Sequence, residues 1–200
     1  MNPIRIAPLV EGDGEVSALP LLLRRIASSI NPNIPLHIAK PFRHSAGRLI
    51  KPGGLERALN AVAIKYPNHT ILVLIDSVDD CPATFGPSLL DRASSARPDI
   101  LISTILAYRE YETWFLAAAE SLAGFHDLPT HLTPPPDPEA IRDAKGWLTK
   151  QMPPGRCYSP TQDQAAFTAQ LDLTLARRHS RSFQKLWRDV ERILHHSLSA

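Results

Sequence analysis

The chain has only two cysteines, Cys81 beside an acidic cluster and Cys157 in a Pro/Gly loop, so it lacks the means for a secreted disulfide framework or a paired-cysteine zinc site. Both read as free thiols. Long apolar runs are also missing. Segments such as Ile71 to Ile75 and Ile100 to Ala107 fall far short of the roughly 18 to 20 residues that a membrane-spanning helix needs. No apolar signal segment follows the opening Met-Asn-Pro-Ile-Arg, and the cytoplasm is the expected compartment. There is no Gly-Lys-Ser/Thr phosphate loop, no internal repeat and no low-complexity tract. Nor is there a marked excess of charge, the formal net value being +2. What is present is an apolar fraction of 44% in 200 residues, enough for one core domain with or without a small appendage.

Strand-like and helix-like segments alternate through the first half, the pattern of a parallel sheet flanked by helices. Ile4 to Val10 reads as a first strand, followed by Gly-Asp-Gly and a helix from about Val16 to Ile30 with Leu19, Leu22, Leu23 and Ile26 on one stripe. A second strand is expected near Leu36 to Phe42, and a helix after Gly53-Gly54. Ile71-Leu72-Val73-Leu74-Ile75 is continuous and apolar, as a central strand buried on both faces should be. A short helix at Leu89 to Ala93, a fourth strand at Ile100 to Ala107 and a helix from Glu110 to Leu122 complete the core. The Pro-rich stretch from Pro129 to Pro138 reads as a linker. Beyond it the chain looks helical, with Asp137 and Pro138 placed to start one helix and Phe183, Leu186, Trp187, Val190 and Leu194 on the apolar stripe of the last. The division is thus an α/β core over 1–128, with a mostly parallel four-stranded sheet, and a linker with helical extension over 129–200 that packs on the core.

Doubly wound sheets bind ligands beyond the C-terminal ends of their strands, where the strand order reverses. With a 2-1-3-4 order, Glu11 ends the first strand and Asp76 the third, on either side of that point, with Asp79 and Asp80 just beyond. Carboxylates so placed repel one another unless a cation intervenes, and an all-oxygen set suits Mg²⁺ or Mn²⁺. Glu15, at the start of the first helix, and Glu112, which opens the helix after the fourth strand, are candidates to complete or tune the shell. Taken singly, each carboxylate also fits an ordinary role as a helix cap or solvated loop residue. Gly12 and Gly14 would permit a tight turn and close approach of a phosphate. Lys145 and Lys185 are candidates for a cation that steadies phosphoryl charge, against the alternative of solvated helix lysines. Tyr111, Trp114, Phe115 and Leu116 have the spacing of core residues.

Four segments resemble the DUF4276 family: Val10-Glu11-Gly12-Asp13-Gly14-Glu15; Leu74-Ile75-Asp76 with its acidic tail and Cys81-Pro82; Tyr108 to Ala117; and Ser180 to Trp187. That resemblance implies a Toprim-like Rossmannoid fold, related to the Toprim domains of OLD-type nucleases. Such domains place a Glu after the first strand and an Asp-x-Asp after the third around Mg²⁺. Glu11 matches that Glu and Asp76 the first Asp, while Val78 stands at the third position, so Asp79 or Asp80 must substitute or the site is weakened. A partner ATPase and a role in phage defence are further implications of the resemblance.

The expected function is therefore a Mg²⁺-dependent phosphodiesterase or nuclease, with Glu11, Asp76 and Lys145 catalytic and Glu11, Glu15, Asp76, Asp79, Asp80 and Glu112 around the metal. Arg177, Arg178, Arg181 and Lys185 would track a nucleic-acid backbone, DNA or RNA, although a solvated helix face has the same composition. The alternative is a catalytically degenerate module that keeps the fold and docks an ATPase or nucleic acid. A phosphatase with a nucleophilic Asp after the first strand does not fit, because Glu11 stands there.

Overall fold

The computed structural model of the chain describes residues 3–78 and 80–199, the side chains of Ala46 and of 197–199 excepted. Its elements are β1 (Ile4–Val10), α1 (Glu15–Ile30), β2 (Leu36–Ile38), β3 (Phe42–Arg43), α2 (Ala46–Leu49), α3 (Gly54–Lys65), β4 (Thr70–Asp76), α4 (Pro82–Ala96), β5 (Ile102–Ala107) and α5 (Thr113–Ala117). Two short 3₁₀ turns, Ala119–Leu122 and Pro138–Ala140, precede α6 (Ala144–Gln151), α7 (Pro160–Gln170), α8 (Leu173–His179) and α9 (Arg181–Ser199).

Among the described residues the sheet is parallel throughout, ordered β2-β1-β4-β5, with β3 also paired to β1. β1 and β4 are therefore central neighbours, in register from Ile6 beside Thr70 to Val10 beside Leu74. The central strands are apolar without alternation because both faces are covered. Ile6 and Val10 of β1 and Leu72 and Leu74 of β4 join one buried cluster, while Ala7, Leu9, Ile71, Val73 and Ile75 join the other.

α3 and α4 cover the second face, where Leu55, Leu59, Val62 and Leu89 are fully buried. The first face is covered by α1 together with the helices that follow the Pro-rich stretch. Leu148, Phe167, Phe183, Leu186 and Val190 lie in the same cluster as Leu19, Leu22 and Ile26. The stretch between the two 3₁₀ turns has no regular structure, yet Leu128 and Leu132 anchor it in that core.

Several boundaries differ from those read in the sequence. The second strand is split into β2 and β3 around Ala39-Lys40-Pro41, so the sheet has five strands rather than four. Pro41 offers no N–H to a ladder, which accounts for the break. α4 is longer than expected, with Pro82 at its first turn. The helix expected over Glu110 to Leu122 is a five-residue α5 followed by a 3₁₀ turn. Asp137 does cap a helical turn, accepting from Glu139 N, but that turn ends at Ala140 and α6 starts afresh with Asp143 accepting from Gly146 N at 2.7 Å. No helix of the described residues is long and apolar enough to cross a membrane.

Candidate active site

The parallel register brings the ends of β1 and β4 together, and four carboxylates meet there. Glu11 follows β1, Asp76 closes β4, Glu15 opens α1, and Glu112 stands at the N-cap of α5 after the edge strand β5. Glu112 is fully buried and Glu15 is 4% exposed.

Each carboxylate is tied to the protein. One oxygen of Glu15 accepts from the backbone amides of Glu11 and Gly12, both at 3.2 Å, which folds the Gly-Asp-Gly turn back on the helix start. Asp76 Oδ1 accepts from Tyr111 N at 2.8 Å, joining the end of β4 to the loop after β5. Glu112 Oε1 accepts from Tyr158 OH at 2.9 Å and Gln164 Nε2 at 3.0 Å, groups supplied by α7 and the loop before it. Glu11 Oε2 is buried and has no hydrogen-bond partner among the described residues.

The cation among them is Lys145, in the first turn of α6. Its Nζ lies 2.9 Å from Glu110 Oε1, 3.1 Å from Glu112 Oε2 and 3.9 Å from Asp76 Oδ2. The contact with Glu112 Oε2 is an ion pair without the alignment of a hydrogen bond. Glu110 grips the lysine at both ends, since its second oxygen accepts from Lys145 N at 3.1 Å. Glu110 thereby positions Lys145 against the other carboxylates.

One ammonium cannot neutralise this many buried acids, and their proton affinities record the deficit. Burial pushes Glu15 up to about 7, with repulsion from Glu11 and Glu112 adding to it, against the opposing Gly12 amide. Asp76 is raised well above the usual carboxylate range, first by burial and then by the charges of Glu15, Glu112 and Glu11. Glu11 and Glu112 are raised by burial too, and Lys145 opposes the rise in both. Burial alone would lower the Lys145 pKa, but Glu112, Asp76 and Glu110 outweigh it and hold the ammonium charged. Ionisable groups displaced in this way by desolvation plus named neighbours, at a strand-end crevice, mark a candidate functional site.

All these donors are hard oxygens, the set that Mg²⁺ or Mn²⁺ prefers. The buried Glu11 Oε2 without a partner adds an acceptor that a cation could take up. In donor chemistry the residues fit such an ion. As the side chains stand, no three His, Cys, Asp or Glu groups among the described residues are gathered into a cage; the Lys145 ammonium sits between the carboxylates of Asp76, Glu110 and Glu112.

The remaining predicted residues lie elsewhere. Asp80 is exposed in the loop after β4, its amide bonded to Ser77 O, and Asp79 lies outside the described residues. Val78, at the third position of the Asp-x-Asp pattern, is 61% exposed and has φ +51°, a strained conformation for a β-branched residue. Its amide donates to Arg109 O, while Arg109 N donates to Ser77 Oγ, so the loops after β4 and β5 are stitched together. Gly14 is required by packing: a Cβ there would lie 2.6 Å from Pro160 O and 2.4 Å from Gln164 Oε1. The space that a phosphate was expected to approach is thus filled at Gly14 by α7.

Lys185 is away from the carboxylates and pairs with Asp189 one turn on. Arg177 stacks on Trp187 at 4.7 Å and lines a shallow basin with Arg178, whereas Arg181 and Lys185 line a separate cleft. Tyr111, Trp114, Phe115 and Leu116 are fully buried, as their spacing predicts. Sequence reasoning missed Glu110, Tyr158 and Gln164. The available signal was Gln164 and Thr168, polar residues one turn apart whose buried positions flank Phe167 on α7.

A family model described as a domain of unknown function, DUF4276, matches residues 10–191. No curated protein and no solved structure matches the chain.

Proposed function

Because the chain belongs to the DUF4276 family, whose description carries no activity, we propose from the site itself that the protein is a Mg²⁺- or Mn²⁺-dependent phosphodiesterase, a nuclease of Toprim-like kind acting on nucleic acid in the cytoplasm. The observation that carries this reading is the convergence of Glu11, Glu15, Asp76 and Glu112 at the ends of adjacent parallel strands, with burial holding their proton affinities high and one lysine among them.

Glu11, Asp76 and Glu112 are the residues that would hold the ion, which when bound supplies charge to polarise a phosphodiester and activate water. Glu15 shapes the loop that presents Glu11, through its two backbone amides. A buried carboxylate with a raised pKa is suited to hold and release a proton near neutrality, and Glu15 at about 7 has that property. Lys145, held by Glu110, is placed to meet negative charge that develops on phosphoryl oxygens. Arg177, Arg178, Arg181 and Lys185 would attract the polyanion through contacts that weaken with salt. A partner ATPase and a defence role are extensions of the same reading.

A second reading, a binding module without chemistry, is favoured by one observation: Val78 stands exposed where an Asp-x-Asp site would carry its second carboxylate. Calorimetric titration of Mg²⁺ and Mn²⁺ separates the two readings when run with cleavage of single- and double-stranded nucleic acid. The nuclease reading expects Glu11→Gln with Asp76→Asn to lose metal binding and to lower cleavage by at least about 10³-fold. A wild type that binds neither ion and cuts neither substrate leaves the binding module.

A further inference from the structure

A cleft of about 570 Å³ opens at the free edge of the sheet, where β5 pairs only with β4 among the described strands. That volume lies in the range of small-molecule sites. Leu106 of β5 forms its floor, Gly86 and Leu90 of α4 one wall, and Arg181, Lys185 and Arg188 of α9 the opposite rim. Lys185 is already paired with Asp189. Arg181 and Arg188 have no side-chain hydrogen bond or ion pair with any described residue.

Two carboxylates also line the cleft, Asp91 and Glu139. Glu139 is committed to α9, accepting from Ser182 N at 3.1 Å and Ser180 Oγ at 2.8 Å. The cleft is thus an apolar slot whose lining carries two uncommitted guanidiniums against one exposed carboxylate, Asp91, and Arg188 extends the cationic rim towards Arg177 and Arg178.

We propose that this cleft binds an amphipathic anion, whose apolar body enters between Leu90 and Leu106 and whose single acidic headgroup is held by Arg181 and Arg188. Apolar walls with a few convergent polar groups are the composition of a small-molecule site, and guanidiniums are suited to carboxylate or phosphate headgroups. This site is separate from the carboxylate cluster and shares only Arg181 and Lys185 with the cationic edge assigned above to a polyanion.

The test uses anilinonaphthalene sulfonate as the anionic probe and N-phenylnaphthylamine as its neutral counterpart, on the full chain, with near-UV circular dichroism confirming that each variant is folded. One-to-one saturable binding of the sulfonate is expected. Arg181→Gln with Arg188→Gln should weaken the sulfonate at least about tenfold and leave the neutral probe unchanged. Gly86→Leu fills the slot from a helix position, where a new Cβ would meet only Leu106 Cδ1, at 3.8 Å, and should remove both probes. Cys81, at the cleft wall, should be alkylated more slowly by iodoacetamide when the sulfonate is bound. Displacement by laurate or by adenosine monophosphate assigns the headgroup to carboxylate or phosphate. Failure of both to displace the probe, an equal loss of both probes in the arginine variant, or unchanged binding in Gly86→Leu would overturn the proposal.

Discussion

The carboxylate site and the basic edge of α8 and α9 carry opposite charges and hold them under opposite conditions. At the first, Glu15, Asp76 and Glu112 are taken out of water and set against one another, with Lys145 as the counterion among them. At the second, Arg178, Arg181 and Arg188 stand exposed, and Arg177 spreads its guanidinium over Trp187. Exposed charges are screened and cost little, so their presence argues weakly for any role. Desolvated like charges cost several kcal/mol unless something offsets them. A fold that retains them is poised for a proton or a cation, and the acidic site therefore carries the stronger functional argument.

The largest expected effect breaks this contrast with pH. The ordinary Glu value is 4.5 and the folded value for Glu15 is about 7. The folded state thus keeps a proton that the unfolded chain has given up, and the contribution is fully present below about pH 4.5 and lost as pH rises through 7. That gap corresponds to on the order of 3 kcal/mol. Urea unfolding in chelator should accordingly show lower stability at pH 8 than at pH 5, and Glu15→Gln should remove much of the difference. Mg²⁺ or Mn²⁺ should narrow it in the wild type if the site loads. A wild type equally stable at both values would contradict the burial of these acids.

The next effect removes the counterion. Lys145→Met leaves Glu112 and Asp76 without their cation, and the lysine side chain is 35% exposed, so solvent recovers part of the loss. The expected destabilisation at pH 8 is about 1–3 kcal/mol, shrinking towards pH 5 as the carboxylates take up protons. Glu112→Gln in the same chain should restore part of it, which thermal unfolding of the single and double variants would read. No recovery would mean that the lysine acts through packing rather than charge.

The strands were legible because their physics is local: five consecutive apolar residues before Asp76 identify a central strand, and the reversal of order beside it picks out Glu11 and Asp76. Glu112 was legible for the same reason, as an acidic residue at the start of the helical segment that follows a strand. Tyr158 and Gln164 were not, since they reach Glu112 across 46 and 52 residues of chain. Lys145 was visible only as a candidate, because its placement depends on how α6 packs beyond an irregular Pro-rich segment. Gly14 misled: its small size serves the backbone of Pro160, a contact that no local pattern announces.

The smallest effect on the fold lies at the basic edge and sharpens the contrast from the other side. Arg177→Gln with Arg178→Gln should change stability by less than about 1 kcal/mol, because what Arg177 loses is one cation–π contact and Arg178 stands in water. If the edge follows a phosphate backbone, the same pair should lower the slope of log affinity against log salt by about 1 to 2, with binding weakened alike across sequences. Filter binding of single- and double-stranded oligonucleotides between low and moderate salt measures it. An unchanged slope would leave these arginines as a solvated face and leave the acidic site to recognise its substrate without them.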